Sequence, residues 1–516
     1  MELNVPSGKW KETPLITKKE IDIYPATPSL LYKLTKNISL IEKWEEKRNK
    51  KIEIPNHILE NSGLREYQKE VIPKILTLNS IGIFDQQRMG KTPTTLFSLK
   101  LKDRLFKLNR VLIISPKSAL INWKQECEKW FTDSVFAAKG TKSNRKRGYD
   151  ANNKVIISTY KTVMIDADIL PEFDCIVVDE AHKLRNFKGQ RSKYSPKSIK
   201  EIMKISYKAK YRYALTGTPS SNKTEDVFAI LHFLYPNLFT SYYNFLEYYY
   251  ELEERYISKN KTITEVVSFK QGKQKELQEF LDYTSIQRKR KNYMQWIPLV
   301  DKTTINLSLD QKETLWYNEI AETYECKELD VSCPNLLSQM IALRKRTVYA
   351  KEKEEWIIDY LDDYPDEQII ITSMFTKFLE EFKDKLLKQD STKKVALLVG
   401  STSALQRKKI EDDFNNKKIN IILANTVAIN VSMKFEQCNT MIIVDPSLTY
   451  VDNEQLEDRL IPTNKEIAIT KDKQQIIRLV IKDTVDEYID KQLKRKASQV
   501  EIINNFKANK TSHIQK

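Results

Sequence analysis

The stretch CIVVDEAHKLRN, residues 175–186, decides how the rest of the chain is read. Four apolar residues, Cys175 to Val178, end abruptly in two carboxylates, Asp179 and Glu180. A short apolar run bounded by polar residues is the pattern of a strand buried on both faces of a parallel sheet. The carboxyl end of such a strand is where α/β sheets place their ligands. There, Asp179 is suited to hold Mg2+ through water, and Glu180 to polarise an attacking water as general base. Two acids after a strand are also what an ordinary strand-end turn looks like, so neighbouring segments must decide.

Upstream, FDQQRMGKT (84–92) follows the apolar run Ile81–Phe84 and opens a helical pattern. A strand-to-helix loop turns backbone N–H groups and a helix N-terminus toward one point, which suits phosphates. Lys91 is placed to contact the β- and γ-phosphates of a nucleoside triphosphate, and Thr92 to hold Mg2+ through its hydroxyl. Arg88, Met89 and Gly90 form the rest of the loop. The full GxxxxGK[ST] pattern is broken, because Asp85 stands where the first glycine belongs. Downstream, YALTGTPSSN (213–222) follows another apolar run. Thr216 and Thr218 flank Gly217, and such a loop can sense the γ-phosphate, although TGTP alone reads equally as a turn. A DEAH after IVVD, downstream of a GKT, moves the balance to a nucleotide site.

Working outward, apolar runs at Ile81–Phe84, Val111–Ile114, Val155–Ile157, Cys175–Val178 and Tyr211–Leu215 alternate with helical patterns. A second series begins near residue 366, with runs at Gln368–Thr372, Val395–Val399, Ile419–Leu423 and Met441–Val444. Helical patterns at Lys377–Leu387 and Gln406–Asn415 sit between them. Strand–helix alternation of this kind predicts parallel sheets covered on both faces. Between the two series, SYYNFLEYYYELEERY is rich in tyrosine and helix formers and reads as part of a helical insertion. Its tyrosines suit core packing, or less often base stacking. The expected fold is α/β: two RecA-like parallel-sheet lobes, a helical insertion between them and a small N-terminal accessory segment. The expected divisions are 1–60 accessory, 61–240 ATP-binding lobe, 241–345 insertion, 346–500 second lobe and 501–516 basic tail.

The 516 residues carry 86 Lys and Arg against 70 Asp and Glu, a formal net charge of +16. A cationic surplus favours a polyanionic partner, through release of counterions condensed on phosphates, although a solvated basic surface carries the same charge. Five scattered cysteines without a CxxC pair, and four isolated histidines, argue for a reducing compartment and against a zinc site. No apolar run is long enough to span a bilayer, and MELNVPSGKW lacks the order of a signal peptide. The expectation is a cytoplasmic protein without a membrane partner.

The order of these segments resembles helicase superfamily two, and within it the Swi/Snf-like DNA-dependent ATPases, from about residue 63 to about 495. GLREYQ (63–68) resembles the family's opening motif, which implies that Gln68 reads adenine. DQQRMGKT is similar to D-E-x-G-x-G-K-T with Arg88 in place of a glycine, a departure that should alter the loop. SPKSALINWKQECEKW resembles P-x-S-L-x-x-x-W-x-x-E, which implies strand-backbone contacts at Lys117 and Ser118. STY resembles a second backbone-contacting segment, at Ser158 and Thr159. DEAHKLRN and LTGTPSSN are the most specific matches. In the second lobe QIIITSMF, GSTSALQRKKIEDDF and ANTVAINVSMKFEQCNTMIIVDPSLTYVDNEQLEDR resemble the family's later segments, with contacts implied at Ser373 and Thr426. Val427 and Ala428 stand where the family has glycines. Of the closing Q-x-x-x-R-x-x-R, Gln455 and Arg459 fit, and Pro462 occupies the second arginine's place.

That second arginine is the family's finger on the transferred phosphoryl group, and such a finger is worth about three to five orders of magnitude in rate. The resemblance therefore implies ATP and Mg2+ as ligands; with the second arginine replaced, Arg459 takes the finger's role, a nearby lysine substitutes, or hydrolysis is weak, and the otherwise complete machinery favours Arg459. It implies closure of the lobes on ATP and translocation along DNA, duplex or branched, as in processing of replication, recombination or repair intermediates. The chain resembles the compact members, including phage and bacterial ones. Rival readings are an unwinding helicase of another branch, an ATP- and nucleic-acid-binding protein with little turnover, and the motor subunit of a restriction or defence complex.

Overall fold

The computed structural model describes residues 54–219, 223–258, 261–429, 433, 435, 437–462, 465–469, 471 and 474–495. Most of the accessory segment and the whole basic tail therefore lie outside the described residues. The chain divides into two compact units, Met1–Tyr293 and Met294–Lys516.

In the first unit the apolar runs fold as β1 (Ser80–Ile83), β2 (Val111–Ser115), β3 (Val135–Ala137), β4 (Val155–Thr159), β5 (Cys175–Asp179) and β6 (Tyr211–Leu215). A hairpin of β7 (Tyr250–Ser258) and β8 (Lys261–Phe269) follows, then the short β9 (Ser285–Ile286). Seven of these make one sheet in the order β3-β4-β2-β5-β6-β1-β9, with every pairing parallel. Successive residues of a strand face opposite sides. Leu112, Ile114, Ile156, Ile176 and Val178 enter one core, and Val111, Ile113, Val155, Cys175 and Val177 enter the other. This two-sided burial is why the runs are apolar without alternation. Each fully buried Val, Leu or Ile contributes about 1.5–3 kcal/mol relative to exposure.

The second unit holds β10 (Val300–Leu307), a small hairpin of β11 (Glu325–Cys326) and β12 (Val331–Ser332), then β13 (Ile369–Ser373), β14 (Val395–Leu398), β15 (Ile421–Asn425), β16 (Thr440–Ile443) and β17 (Gln474–Ile481). Its six-stranded sheet has the order β10-β17-β16-β13-β15-β14, again parallel throughout. Both units are thus RecA-like α/β layers. Buried charge fastens the helices of this unit to its strand ends. Lys353 Nζ donates to Val444 O at 2.7 Å and Asp486 Oδ2 at 2.6 Å, and the Arg344 guanidinium grips Asp445 at 2.8–3.0 Å.

The insertion holds the helices Tyr242–Tyr249 and Lys273–Thr284, but it also holds strand, which the tyrosine-rich stretch did not suggest. The helix stops at Tyr249, and β7 pairs antiparallel with β8. The partner KTITEVVSF is β-branched at five of its nine positions, and a pleated ladder suits such residues better than a helix does. The tyrosines pack: Tyr249 and Tyr250 are buried, and the Tyr250 ring lies 4.4 Å from that of Phe269.

The helix Lys91–Phe106 buries one cation, Lys102, whose ammonium donates to Leu78 O at 2.8 Å and sits 4.3 Å from the Tyr211 ring. Burial pushes Lys102 down to about 7, with Cys175 opposing and Lys210 assisting that shift. Its folded pKa lies below the unfolded value of about 10.4, so the unfolded chain holds more protons between the two. Stability of the first unit should then rise with pH across that window, at up to about 1.4 kcal/mol per pH unit. Urea unfolding of wild type and Lys102→Met at several pH values checks this. The gap between the two should move in favour of wild type as pH rises, and parallel curves would exclude it.

Candidate nucleotide-binding site

Three neighbouring strands bring three loops together. In the register of β5, β6 and β1, Asp179 pairs with Leu215, and Leu215 pairs with Ile83. The acids of DEAH, the TGTP turn and the phosphate loop therefore leave the sheet from one row. Thr216 N–H donates to Ile83 O at 3.2 Å. A Cβ on Gly217 would stand 3.3 Å from Gln87 Cγ, so the turn lies directly against the phosphate loop.

The loop ends in Gly90, left-handed at φ 75°, which is the N-cap of helix Lys91–Phe106. No side chain caps that helix and no acid lies in its first turn, so its N–H groups face outward as an anion site. Arg88 adopts φ 67°, the conformation for which a glycine is the ordinary choice. The loop therefore keeps its turn despite the substitution. Lys91 Nζ folds back onto Asp85 O at 2.8 Å, where a phosphate oxygen could replace the carbonyl. Thr92 is half-buried in the first turn. The Met89 side chain is wholly buried, so only its backbone serves the loop.

Gln68 holds the loop from beneath. Its Nε2 reaches Met89 O at 3.3 Å, Gly90 O at 3.1 Å and Thr94 Oγ1 at 3.2 Å, while its Oε1 accepts from Arg65 N–H at 2.9 Å. Both ends of the amide are thereby engaged with protein. At φ 75° any side chain is strained, and a Cβ on Gly90 would meet that Nε2 at 2.3 Å and displace the amide from the loop.

Asp179 and Glu180 stand in unlike surroundings. Trp123 Nε1–H donates to Asp179 Oδ2 at 2.8 Å, and Tyr160 O–H donates to Asp179 O at 2.6 Å. Burial and the neighbouring Glu180 charge raise Asp179, against the Trp123 hydrogen bond and Lys91. Glu180 sits at φ 53°, and His182 Nδ1 lies 3.3 Å from its Oε2. Burial works to raise Glu180, but His182, Lys91 and Lys183 outweigh it and hold the carboxyl below its ordinary range. The same His182 Nδ1 is 3.1 Å from Thr216 Oγ1, which accepts from Thr218 N–H at 3.1 Å. One chain of contacts thus joins the general-base candidate to the TGTP turn. Among the described residues no cluster of three or more His, Cys, Asp or Glu side chains could hold a metal alone. An ion held by one carboxylate, one hydroxyl and phosphates, as Mg2+ in nucleotide sites is, fits this donor set.

The expected strand contacts separate by burial. Lys117 is exposed and Ser118 half-buried, in the turn Lys117–Ala119 after β2. Ser158, Ser373 and Thr426 are fully buried, so their side chains cannot touch a strand from this conformation. Ser373 Oγ instead accepts from Phe375 N–H at 3.1 Å, and Thr159 caps the helix Tyr160–Ile165. In the second unit Gln455 is half-buried on helix Tyr450–Glu457, and Arg459 just beyond donates to Met433 O at 3.3 Å. Trp123, Tyr160, His182 and Arg288, which engages Asp85, were not singled out from sequence. Trp123, Tyr160 and His182 lay inside quoted segments, whose strand contacts were placed at other residues or, for His182, whose chemistry was placed at Asp179 and Glu180.

The SNF2-related domain matches residues 33–358, and the helicase conserved C-terminal domain matches residues 352–462. The chain is 24% identical over 455 residues to the probable ATP-dependent DNA helicase CHR23 of Arabidopsis thaliana, covering 80% of this chain and 41% of that protein. It is 24% identical over 487 residues to an uncharacterized ATP-dependent helicase of Mycoplasma pneumoniae, covering 88% and 43%. The chain spans less than half the length of these two relatives. The Sulfolobus solfataricus SWI2/SNF2 ATPase core in complex with dsDNA aligns at TM-score 0.40 and 22% identity, over 84% of this chain and 91% of that one. The SNF2-related match covers more than half of the chain and takes in the phosphate loop, the DEAH acids and the TGTP turn, and the chain belongs to the SNF2-related family.

Proposed function

We propose that this chain is a DNA-dependent ATPase that uses hydrolysis to move along DNA, duplex or branched. The observation that carries the reading is the meeting of Lys91, Asp179 and Glu180 at an uncapped helix N-terminus, with His182 tying Glu180 to the TGTP turn. Relatives named ATP-dependent helicases and a net charge of +16 support it.

In this reading the first-turn N–H groups and Lys91 bind the triphosphate, and Gly90 lets the backbone approach it. Thr92 and Asp179 hold Mg2+, which neutralises charge on the phosphates. Asp179, raised as it is, stays ionised best beside a cation. Glu180, held ionised by His182, accepts the proton of the attacking water. Loss of the γ-phosphate is read by Thr216 and Thr218 through His182. Gln68 acts by setting the loop, and any adenine contact requires it to exchange those bonds. Gln455 and Arg459 are the second unit's contributions, with Arg459 as the cation for the transferred phosphoryl group. Lys117 and Ser118 are the proposed strand contacts. Backbone contacts carry no sequence information, so binding should be nonspecific and salt-sensitive. Replication, recombination or repair intermediates are the proposed setting.

A second reading, binding without useful turnover, is motivated by Arg88, Val427, Ala428 and Pro462, of which Pro462 removes the usual finger.

Glu180→Gln should lower kcat by about two to four orders of magnitude while nucleotide still binds. Lys91→Ala should weaken nucleotide binding itself. Phosphate release measured for both variants tests this, and a wild-type rate equal to that of Glu180→Gln would establish the second reading. Phosphate release with no nucleic acid, single strands, duplex, forks and four-way junctions should be highest with duplex or branched DNA. Equal rates in all five conditions would remove DNA as the partner.

A further inference from the structure

We infer that Arg288 and Arg290 are positioning residues of the phosphate loop, on a strap formed by residues 285–293. This deepens the nucleotide reading above and rests on it. The strap begins as β9, which adds to the sheet beside β1 with Gly82 opposite Ser285 and Ile83 opposite Ile286. Its backbone then follows the loop: Phe84 N–H donates to Ile286 O at 2.7 Å, and Gln86 N–H to Arg288 O at 3.1 Å. Arg290 completes the match, donating from its backbone N–H to Gln86 Oε1 at 3.0 Å and from Nη1 to Gln87 O at 3.1 Å. Each residue from Gln86 to Gln87 is therefore held by the strap.

The buried pair matters for charge as well as shape. Asp85, which replaces the loop's first glycine, is fully buried, and the Arg288 guanidinium engages both of its oxygens, with Nε at 2.9 Å from Oδ1. Arg288 also donates to Tyr67 O, and its guanidinium lies 5.0 Å from the Tyr67 ring and 5.6 Å from that of Tyr293. Tyr67 O–H in turn donates to Met89 O at 3.1 Å. A planar, bidentate cation suits this place, and a lysine would not reproduce it. With Arg288 in position, the Asp85 charge is balanced, and Lys91 Nζ donates to the backbone carbonyls of Asp85 at 2.8 Å and Gln86 at 3.4 Å. Without it, an unbalanced carboxylate beside the phosphates would compete for Lys91 and oppose a triphosphate. The strap also holds a loop containing two left-handed residues, Arg88 and Gly90, which must be fixed by their surroundings.

The test uses the full chain with a fluorescent ATP analogue and Mg2+, read by anisotropy, together with KM and kcat for ATP and a melting curve for each variant. Arg288→Gln should raise the Kd and KM for nucleotide by about tenfold or more, with kcat changing less. Adding Asp85→Asn should recover at least about threefold of that loss, because the stranded charge goes with it. Arg290→Ala leaves the buried pair intact and should raise KM by about threefold or more with unchanged melting. Should Arg288→Gln fail to fold, Arg290→Ala decides alone. The inference is overturned if the folded variants bind the analogue within about threefold of wild type. A wild type that binds no nucleotide sinks the nucleotide reading too, whereas binding that ignores the strap sinks only this inference.

Discussion

The register of three strands is the constraint on which the site depends. Asp179, Leu215 and Ile83 lie in one row across β5, β6 and β1, so three loops far apart in sequence begin at the same level. Strand pairing sets neighbours about 4.8 Å apart, and side chains leaving adjacent strand ends can therefore meet. A slip of one residue would turn Asp179 to the other face and exchange the two cores. The dense apolar packing on both sides of the sheet opposes that slip, since the buried apolar residues of β2, β4 and β5 are divided between the two layers. Core packing and chemistry are in this sense one property of the sheet.

On that frame the charges divide the work. Lys91 acts on both carboxylates, yet their surroundings differ, and they separate in opposite directions. The Asp179 carboxylate accepts from the Trp123 indole at 2.8 Å and from the Glu180 backbone N–H at 3.0 Å. Glu180 has a histidine beside it and more than one lysine nearby. An acid that needs a cation and an acid that stays ionised without one suit a metal ligand and a proton acceptor respectively.

The sequence showed the fold wherever burial leaves a local trace. Runs such as Val111–Ile114 and Cys175–Val178 are apolar because both faces are covered, and that is visible residue by residue. The loops showed for the same reason, since Gly90 and the GKT step are local features. Arg288 left no such trace, because its partner Asp85 is 203 residues away and the pair exists only through β9. Trp123 is 56 residues from Asp179, and its indole N–H has no pattern in sequence. The hydroxyls of Ser158 and Ser373 were placed on the surface by resemblance. Which way a strand-end hydroxyl points depends on a single residue of register, and both point inward. The β7–β8 hairpin was missed because Tyr and Glu serve helices and strands alike, and only the partner strand decides between them.

The left-handed residues of the site, among them Arg88 where the family has a glycine, fit their surroundings. A left-handed arginine costs about 1–2 kcal/mol relative to an ordinary conformation, and it persists only where the surroundings fix it. Arg88 at φ 67° and Glu180 at φ 53° are two such residues on neighbouring loops of one site. Both are held by features that glycine-rich loops do not need. Arg88 follows a loop stretch gripped by Arg288 and Arg290, and Glu180 has its carbonyl bonded by Tyr160 at 3.1 Å. Asp85 at the loop's start and Arg88 within it thus belong to a loop whose shape comes from its surroundings as much as from its own glycines.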